Sequence, residues 1–180
     1  MGYESPNFTL EITDGSFSIR FYPSFKTVVM PQSSWNGYSG FNDLFGYISG
    51  NNQQQQSMKM TVPVINEVTQ TSLSMEFVIP EKFHHNTPQP NASYLQIKTY
   101  TNLRLGVVKF RGNPTSDQIK LQREKLTKWL INQNETMGTR YFVARYNAPY
   151  MPGFLKTNEI WIMLGNPDKD HKNEVDGTEF

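Results

Sequence analysis

The chain has 180 residues, a mass of 20.8 kDa and a formal charge of +1 from 17 basic and 16 acidic side chains. This length is typical of one domain, and so small a charge excludes the electrostatic attraction on which dedicated nucleic-acid binders rely. Cysteine does not occur, which excludes disulfides, thiolate metal sites and cysteine nucleophiles.

The first half of the chain predicts a hairpin, a third strand and a short helix. Apolar and polar residues alternate over 8–12 and 17–21 on either side of an Asp-Gly turn, which is a strong hairpin signal. A further strand is predicted over 25–30. Over 39–50, apolar residues recur at i, i+3, i+4 and i+7, so we expect a helix that its final glycine ends. The residues on its apolar face are Phe41, Leu44, Phe45 and Ile48.

The rest of the chain predicts a polar loop, six strands and one long helix. Residues 51–56 are all Asn or Gln and have nothing to bury, which is typical of a mobile loop. Thr115 and Gln118 form a capping-box pattern that predicts a helix over 115–132. Beyond residue 165 the sequence turns polar and charged, so we expect a disordered tail over 166–180. The predicted strands are 58–65, 73–79, 94–100, 105–110, 140–146 and 159–164.

The predicted order places one helix among antiparallel strands in each half of the chain. This order indicates a structural duplication, although no sequence repeat is visible. The fold class is therefore α+β, with the helices lying against a curved antiparallel sheet or a partly closed barrel. We expect a single domain over 1–165.

Signals for membranes and for export are missing. No run approaches ~18 consecutive apolar residues, and residues 1–6 lack a basic region followed by an apolar one. We therefore expect a soluble, cytoplasmic protein with no membrane insertion and no nucleic-acid partner.

Few residues fit catalytic or metal chemistry. Carboxylates such as Glu67 and Glu76 are scattered over separate elements, and no Gly-x-Ser-x-Gly elbow or Gly-rich phosphate loop occurs. His84 and His85 are adjacent in a loop, where they are a poor pair for one zinc ion because neighbours point in different directions. Two alternatives are open for each of them: exposure to solvent, or axial ligation of a haem iron. The pattern favours a protein that is not an enzyme.

Large apolar and polarizable side chains are abundant near the ends of the predicted segments. Such residues either fill a core or line a cleft for a flat apolar ligand, and the residues alone leave both interpretations open. They are Phe41, Phe45, Met58, Met60, Tyr150, Met151 and Phe154.

Several stretches resemble one known family. Residues 58–64, Met-Lys-Met-Thr-Val-Pro-Val, resemble the Met-x-Met-Thr-x-Pro-Val signature of the SOUL/haem-binding protein family. Residues 77–80 are similar to its Phe-x-x-Pro strand end, 146–150 to its Tyr-x-x-Pro segment, and 158–161 to its Asn-Glu-Val-Trp motif. These landmarks occur in the order of the family.

The resemblance implies a distorted antiparallel β-barrel with two flanking helices and two halves related by a pseudo-twofold axis. It also implies noncovalent binding of haem or another tetrapyrrole between the first helix and the loop before the last strand. Carried over by position, the ligand contacts are Phe41, Phe45, Ile48, Tyr150, Met151, Phe154 and the basic Lys156, with His84 or His85 as an axial candidate. The first helix has no Lys or Arg, whereas haem-binding relatives can carry basic residues there.

Two functions from different classes follow. The first is a carrier of haem or another tetrapyrrole without catalytic turnover. The second is a protein-interaction module that keeps the fold but binds haem weakly or not at all, which the cation-free first helix and the Gln-rich loop favour. The expected partner is accordingly a haem or porphyrin ligand, with a protein partner as the alternative.

Overall fold

The computed structural model of the protein describes residues 2–34 and 38–165. Over these residues the elements follow the predicted order of strands and helices. They are β1 (Thr9–Asp14), β2 (Phe17–Gln32), α1 (Tyr38–Ile48), β3 (Val64–Val68), β4 (Leu73–Val78), β5 (Gln96–Arg111), α2 (Ser116–Asn132), β6 (Met137–Arg145) and β7 (Thr157–Leu164).

The strands close into a barrel. They pair antiparallel in the order β1-β2-β4-β3-β6-β7-β5, and β5 pairs back onto β2. Six of the described strands therefore form a closed barrel, while β1 lies outside it on the edge of β2. The α+β class and the antiparallel barrel with two helices are confirmed.

The barrel consists of two equivalent halves. Each half is a long strand, a helix and two shorter strands, so β2, α1, β3 and β4 correspond to β5, α2, β6 and β7. The pairings obey the same correspondence, because β2 pairs with β4 as β5 pairs with β7, and β3 pairs with β4 as β6 pairs with β7. The predicted pseudo-twofold duplication is therefore confirmed at the level of topology.

Hydrophobic side chains pack in one interior cluster and two outer ones. On β7, Trp161 and Met163 point into the barrel, while the alternating Ile160 and Ile162 point outward beneath α2, as the period of a strand requires. The third cluster lies between α1 and the first half of the sheet and includes Leu44, Tyr47 and Ile48. The two helices thus cover opposite halves of the barrel.

Two predicted breaks in strands are absent from the structure. The sequence suggests interruptions near Pro23 and near Asn102, but β2 and β5 each run for 16 residues through these positions. Tyr22 pairs with Leu103 and Ser24 with Thr101, so Pro23 and Asn102 lie opposite each other. Proline has no N–H to donate, and Asn102 adopts a φ of 48°. The two irregular residues share one site in the ladder, and both strands continue beyond it.

Two further predictions about the first half are wrong. The segment 58–63 is not a strand, and β3 begins only at Val64. The polar loop 51–56 does bury a residue, because Asn52 is 1% exposed. Its amide donates to the carbonyls of Tyr47 and Gln56, and its side-chain oxygen accepts from the Gln56 N–H.

The predicted capping box of α2 is confirmed. The Thr115 hydroxyl accepts from the Gln118 N–H at 3.3 Å, and the Gln118 side chain accepts from the Thr115 N–H at 2.9 Å. The predicted tail 166–180, with His171, lies outside the described residues.

Candidate functional site

A cavity of about 790 Å³ opens on the outside of the barrel, where the two halves meet. One wall is α1, and the opposite wall is the loop 147–156 between β6 and β7, which we call the mouth loop. The floor includes Val64 of β3 and Arg145 of β6, which pair with each other across the seam between the halves.

Helix α1 supplies an aromatic wall because its residues divide between two faces. Leu44, Tyr47 and Ile48 are buried against the sheet, which fixes the helix in place. Phe41 and Phe45 lie on the adjacent face and stack with ring centroids 6.0 Å apart. Phe45 is 49% exposed at the mouth of the cavity.

The segment before β3 forms the second side of the cavity. The Met58 N–H donates to the Ile48 carbonyl at 2.7 Å, and the Thr61 hydroxyl donates to the Val78 carbonyl at 2.6 Å. These two buried residues hold the segment, and Met60 and Val62, on either side of Thr61, line the cavity. The signature therefore has a structural basis, since it combines two anchoring residues with residues that line the cavity.

The mouth loop is held by its own hydrogen bonds. The Met151 N–H donates to the Ala148 carbonyl at 3.1 Å, and the Leu155 N–H donates to the Pro152 carbonyl at 2.9 Å. The Lys156 ammonium donates to the Pro149 carbonyl at 2.9 Å. This arrangement leaves the Tyr150 ring 87% exposed on the wall facing α1.

The charge of the cavity is positive. Among the described lining residues, Arg145 and Lys156 are basic and none is a carboxylate. The Arg145 guanidinium donates to the Asn66 side-chain oxygen, and burial lowers the pKa of Arg145 from its ordinary value. Cations in an otherwise apolar cavity favour an anionic group on the ligand.

A buried ion pair supports the wall from beneath. Tyr146 lines the cavity, and its hydroxyl donates to Glu159 Oε1 at 2.5 Å. Glu159 also accepts two hydrogen bonds from the Arg20 guanidinium, at 2.9 and 2.5 Å. Burial and the neighbouring Glu159 carboxylate raise the pKa of Tyr146, so its hydroxyl stays protonated and donates.

Residues 3–163 match the SOUL heme-binding protein family. The chain belongs to the SOUL family. It is similar to Heme-binding protein 2 of Homo sapiens, with 26% identity over 171 residues that cover 88% of this chain and 83% of the relative. It is also similar to Heme-binding protein 1 of Bos taurus, with 26% identity over 124 residues that cover 65% of this chain and 64% of the relative.

Solved structures share the fold of this SOUL chain at much lower identity. The C-terminal domain of EcmrR has a TM-score of 0.60 at 10% identity and covers 83% of this chain and 97% of its own. A hydrolase from Listeria innocua has a TM-score of 0.60 at 7% identity and covers 83% of this chain and 92% of its own. At these identities the likeness shows the fold alone.

The structure brings four of the residues carried over from the SOUL family to the cavity. Phe41, Phe45, Tyr150 and Lys156 line it from both sides. Ile48, the last residue of α1, is only 4% exposed and packs against the sheet, so it supports the wall and is not among the lining residues.

Two of the carried-over residues are on the mouth loop but do not line the cavity. Met151 is 36% exposed and Phe154 is 74% exposed. The structure therefore does not bring these two residues to the cavity with the other four.

The two loop histidines, His84 and His85, lie elsewhere. His84 Nε2 is 2.8 Å from the Ile79 carbonyl oxygen, and neither His84 nor His85 is among the lining residues. No group of three or more His, Cys, Asp or Glu side chains in the described residues could hold a metal ion. The described part of the chain also contains no helix of sufficient length and apolarity to span a membrane.

Sequence reasoning missed three residues that shape the cavity. Arg145 ends β6 immediately before the Tyr-x-x-Pro segment, so a basic residue beside that motif was the available signal. Met75 lies on β4 and faces α1, which the alternation of that strand would have indicated. Tyr3 reaches the cavity because the Val62 N–H donates to the Glu4 carbonyl at 2.9 Å, a long-range contact with no local sequence signal.

Proposed function

We propose that this protein binds haem or a related tetrapyrrole noncovalently in the cavity between α1 and the mouth loop. The observation that carries the proposal is a cavity of about 790 Å³ with aromatic rings on opposite walls, two cations and no carboxylate among its described lining residues. Sites for small organic ligands are typically ~300–1,000 Å³ with mostly apolar linings.

The chemistry of the walls fits the two parts of a porphyrin. Its broad apolar face requires flat contacts, which Phe41, Phe45 and Tyr150 would supply. Its two propionates require cations, which Arg145 and Lys156 would supply, with Arg145 inside the cavity and Lys156 on its rim. These cations replace the basic residues that α1 lacks.

The relatives support the same ligand. Proteins named Heme-binding protein 2 and Heme-binding protein 1 match most of this chain. Cysteine is absent, so thioether attachment of a haem is unavailable and binding would be noncovalent. When bound, a haem would supply the redox and ligand-binding chemistry of its iron, while this chain binds and orients the ring.

The test is a titration with haemin followed at the Soret band and by tryptophan quenching. We expect saturable binding near one equivalent. Phe45→Ala should weaken it about tenfold, because one aromatic wall contact is lost. Lys156→Glu should weaken it too, and Lys156→Arg should not. Leu121→Ala, at an exposed position on α2, is the matched control. Absorption that rises linearly with haemin and does not saturate would contradict the proposal.

Axial ligation by the loop histidines is a separate part of the proposal. His84 and His85 are the candidate ligands of the haem iron, although neither is among the residues that line the cavity. His84→Ala and His85→Ala should shift the Soret maximum if either nitrogen ligates iron, and an unchanged spectrum in both variants removes them from the site.

We further propose a carrier role without catalytic turnover. An absence of haemin binding together with saturable capture of a defined protein partner would favour the alternative, an interaction module on the same fold.

A further inference from the structure

The mouth loop exposes large apolar side chains that the cavity does not use. Phe154 is 74% exposed, Leu155 44% and Met151 36%, and none of the three lines the cavity. A ligand held between α1 and the loop would therefore leave them in water. Contiguous exposed apolar groups of this kind mark interaction sites.

The apolar tip continues into the mouth of the cavity. Tyr150 is 87% exposed, Phe45 49% and Tyr3 60%, and all three line the opening. Whatever covers the tip of the loop therefore also faces the cavity entrance.

Several polar groups of the loop are already hydrogen-bonded within it, which lowers the cost of moving the loop into a less polar environment. The Met151 and Leu155 N–H groups already donate to loop carbonyls, as does the Lys156 ammonium. Unpaired backbone groups are costly to move out of water, and here the side chains at the tip project while these polar groups are paired inside the loop.

Basic side chains flank the loop. Arg145 and Lys156 are the charged groups of the cavity lining. Arg111 is exposed and pairs with Thr157, directly after the loop. An apolar tip flanked by basic side chains matches the chemistry of an anionic bilayer surface.

The side chains of Tyr150, Met151, Phe154 and Leu155 together offer roughly 500 Å² at the exposed fractions given above. This apolar area is sufficient for insertion at the level of lipid headgroups. A lipid surface requires no second shaped face.

We infer that the mouth loop docks this protein on anionic phospholipid bilayers. Phe154, Leu155 and Met151 reach the level of the headgroups, and the cavity entrance faces the lipid. Docking at this depth requires no membrane-spanning segment. The inference does not depend on haem binding, and its test uses no haemin, so that the two proposals fail separately.

The experiment is co-sedimentation of the full chain with vesicles. We expect binding to vesicles of equal parts phosphatidylcholine and phosphatidylserine, weakened by salt and by omission of phosphatidylserine. The double variant Phe154→Ser/Leu155→Ser should lower the partition coefficient about tenfold, because two apolar side chains leave the interface. The control Leu121→Ser/Ile131→Ser removes two comparably exposed residues of α2 and should change nothing.

Quenching of tryptophan fluorescence provides the second readout. Phe154→Trp should be quenched by brominated lipids in the same vesicles, and Leu121→Trp should not. The inference is overturned if the wild-type chain ignores the mixed vesicles, or if the loop and control variants lose binding equally. It is also overturned if sedimentation velocity shows a dimer that Phe154→Ser/Leu155→Ser abolishes, since a second copy would then be the occupant.

Discussion

At the scale of single residues, Glu159 carries the most concentrated set of contacts near the site. Its carboxylate, 4% exposed, accepts from Arg20, Tyr146 and the Trp161 indole. The Phe8 ring lies 4.4 Å from the Arg20 guanidinium, which further separates the pair from water. Removing one partner of a buried ion pair leaves the other charge without compensation.

Glu159→Gln is therefore expected to lower the free energy of unfolding by about 3 kcal/mol, because Arg20 stays buried without its counter-charge. Urea denaturation measures this loss. Glu124→Gln, on the exposed surface of α2, should have an effect near zero, and an equal effect of the two substitutions would contradict the assignment.

Glu76 is a second buried carboxyl group, and it lies wholly inside the barrel. The Thr27 hydroxyl donates to it at 2.6 Å and the Tyr100 hydroxyl at 2.9 Å. Burial raises the pKa of Glu76, although Lys98 and these two hydrogen bonds act to lower it. The neighbouring Glu67 differs, because its ion pairs with Lys98 and Arg140 outweigh burial and lower its pKa.

The raised pKa of Glu76 predicts a pH dependence of stability. The folded state binds this proton more tightly than the unfolded state does, so the contribution is complete below the ordinary value of 4.5 and is lost as the pH rises above it. Glu76→Gln cannot ionise, and its free energy of unfolding should rise relative to wild type as pH increases from 4.5. Glu67 is present in wild type and in Glu76→Gln, so its own contribution to the pH dependence largely cancels in the difference. Denaturation at a series of pH values checks the difference, and a flat difference would disprove the assignment.

At the scale of elements, α2 sits on the barrel through one close approach. A Cβ on Gly106 of β5 would lie 2.6 Å from both terminal methyl carbons of Leu130, and Leu130 is fully buried. Leu130 therefore has no room to withdraw. Glycine is required here because of the contact between helix and strand.

Gly106→Ala should destabilise the protein by ~1–3 kcal/mol through overpacking beneath α2. Gly46→Ala is the matched control, because no atom lies within 4 Å of its added Cβ in α1. It should stabilise the fold by ~0.5–1 kcal/mol, since alanine loses less backbone entropy in a helix. Thermal unfolding followed by circular dichroism compares the two, and an equal loss of stability in both would contradict overpacking as the cause of the Gly106→Ala effect.

The elements that the sequence predicts well are those with local causes. The capping box of α2 and the Asp-Gly hairpin depend on residues a few positions apart. The continuity of β2 past Pro23 depends on pairing with β5, far along the chain. A local sequence pattern cannot predict such a pairing. The site divides in the same way. The helix that carries Phe41 and Phe45 follows from local periodicity and their place at the site from the family resemblance, whereas Tyr3 reaches the cavity through a long-range contact.

At the scale of the whole molecule, the two halves cannot complete a barrel separately. The β2–β5 ladder runs from the pair Phe17 and Val108 to the pair Val29 and Gln96, and the β3–β6 ladder closes the other seam. Helix α2 of the second half also reaches the first, since the Trp129 indole donates to Asp14 at 2.8 Å and stacks on Phe17. Each half therefore has strand edges that only the other half pairs.

This division predicts one cooperative unfolding transition for both halves. Ile79→Val removes a buried methylene beneath α1, and Ile160→Val removes one beneath α2; each should cost about 1 kcal/mol. In a Trp35→Phe background, the fluorescence of Trp129 and Trp161 reports two side chains of the second half together with their contacts to the first. Far-UV circular dichroism reports the whole chain. Both signals should shift together for either substitution, because neither half retains its paired edges alone. A fluorescence midpoint that Ile79→Val leaves in place would show that the second half is stable without the first.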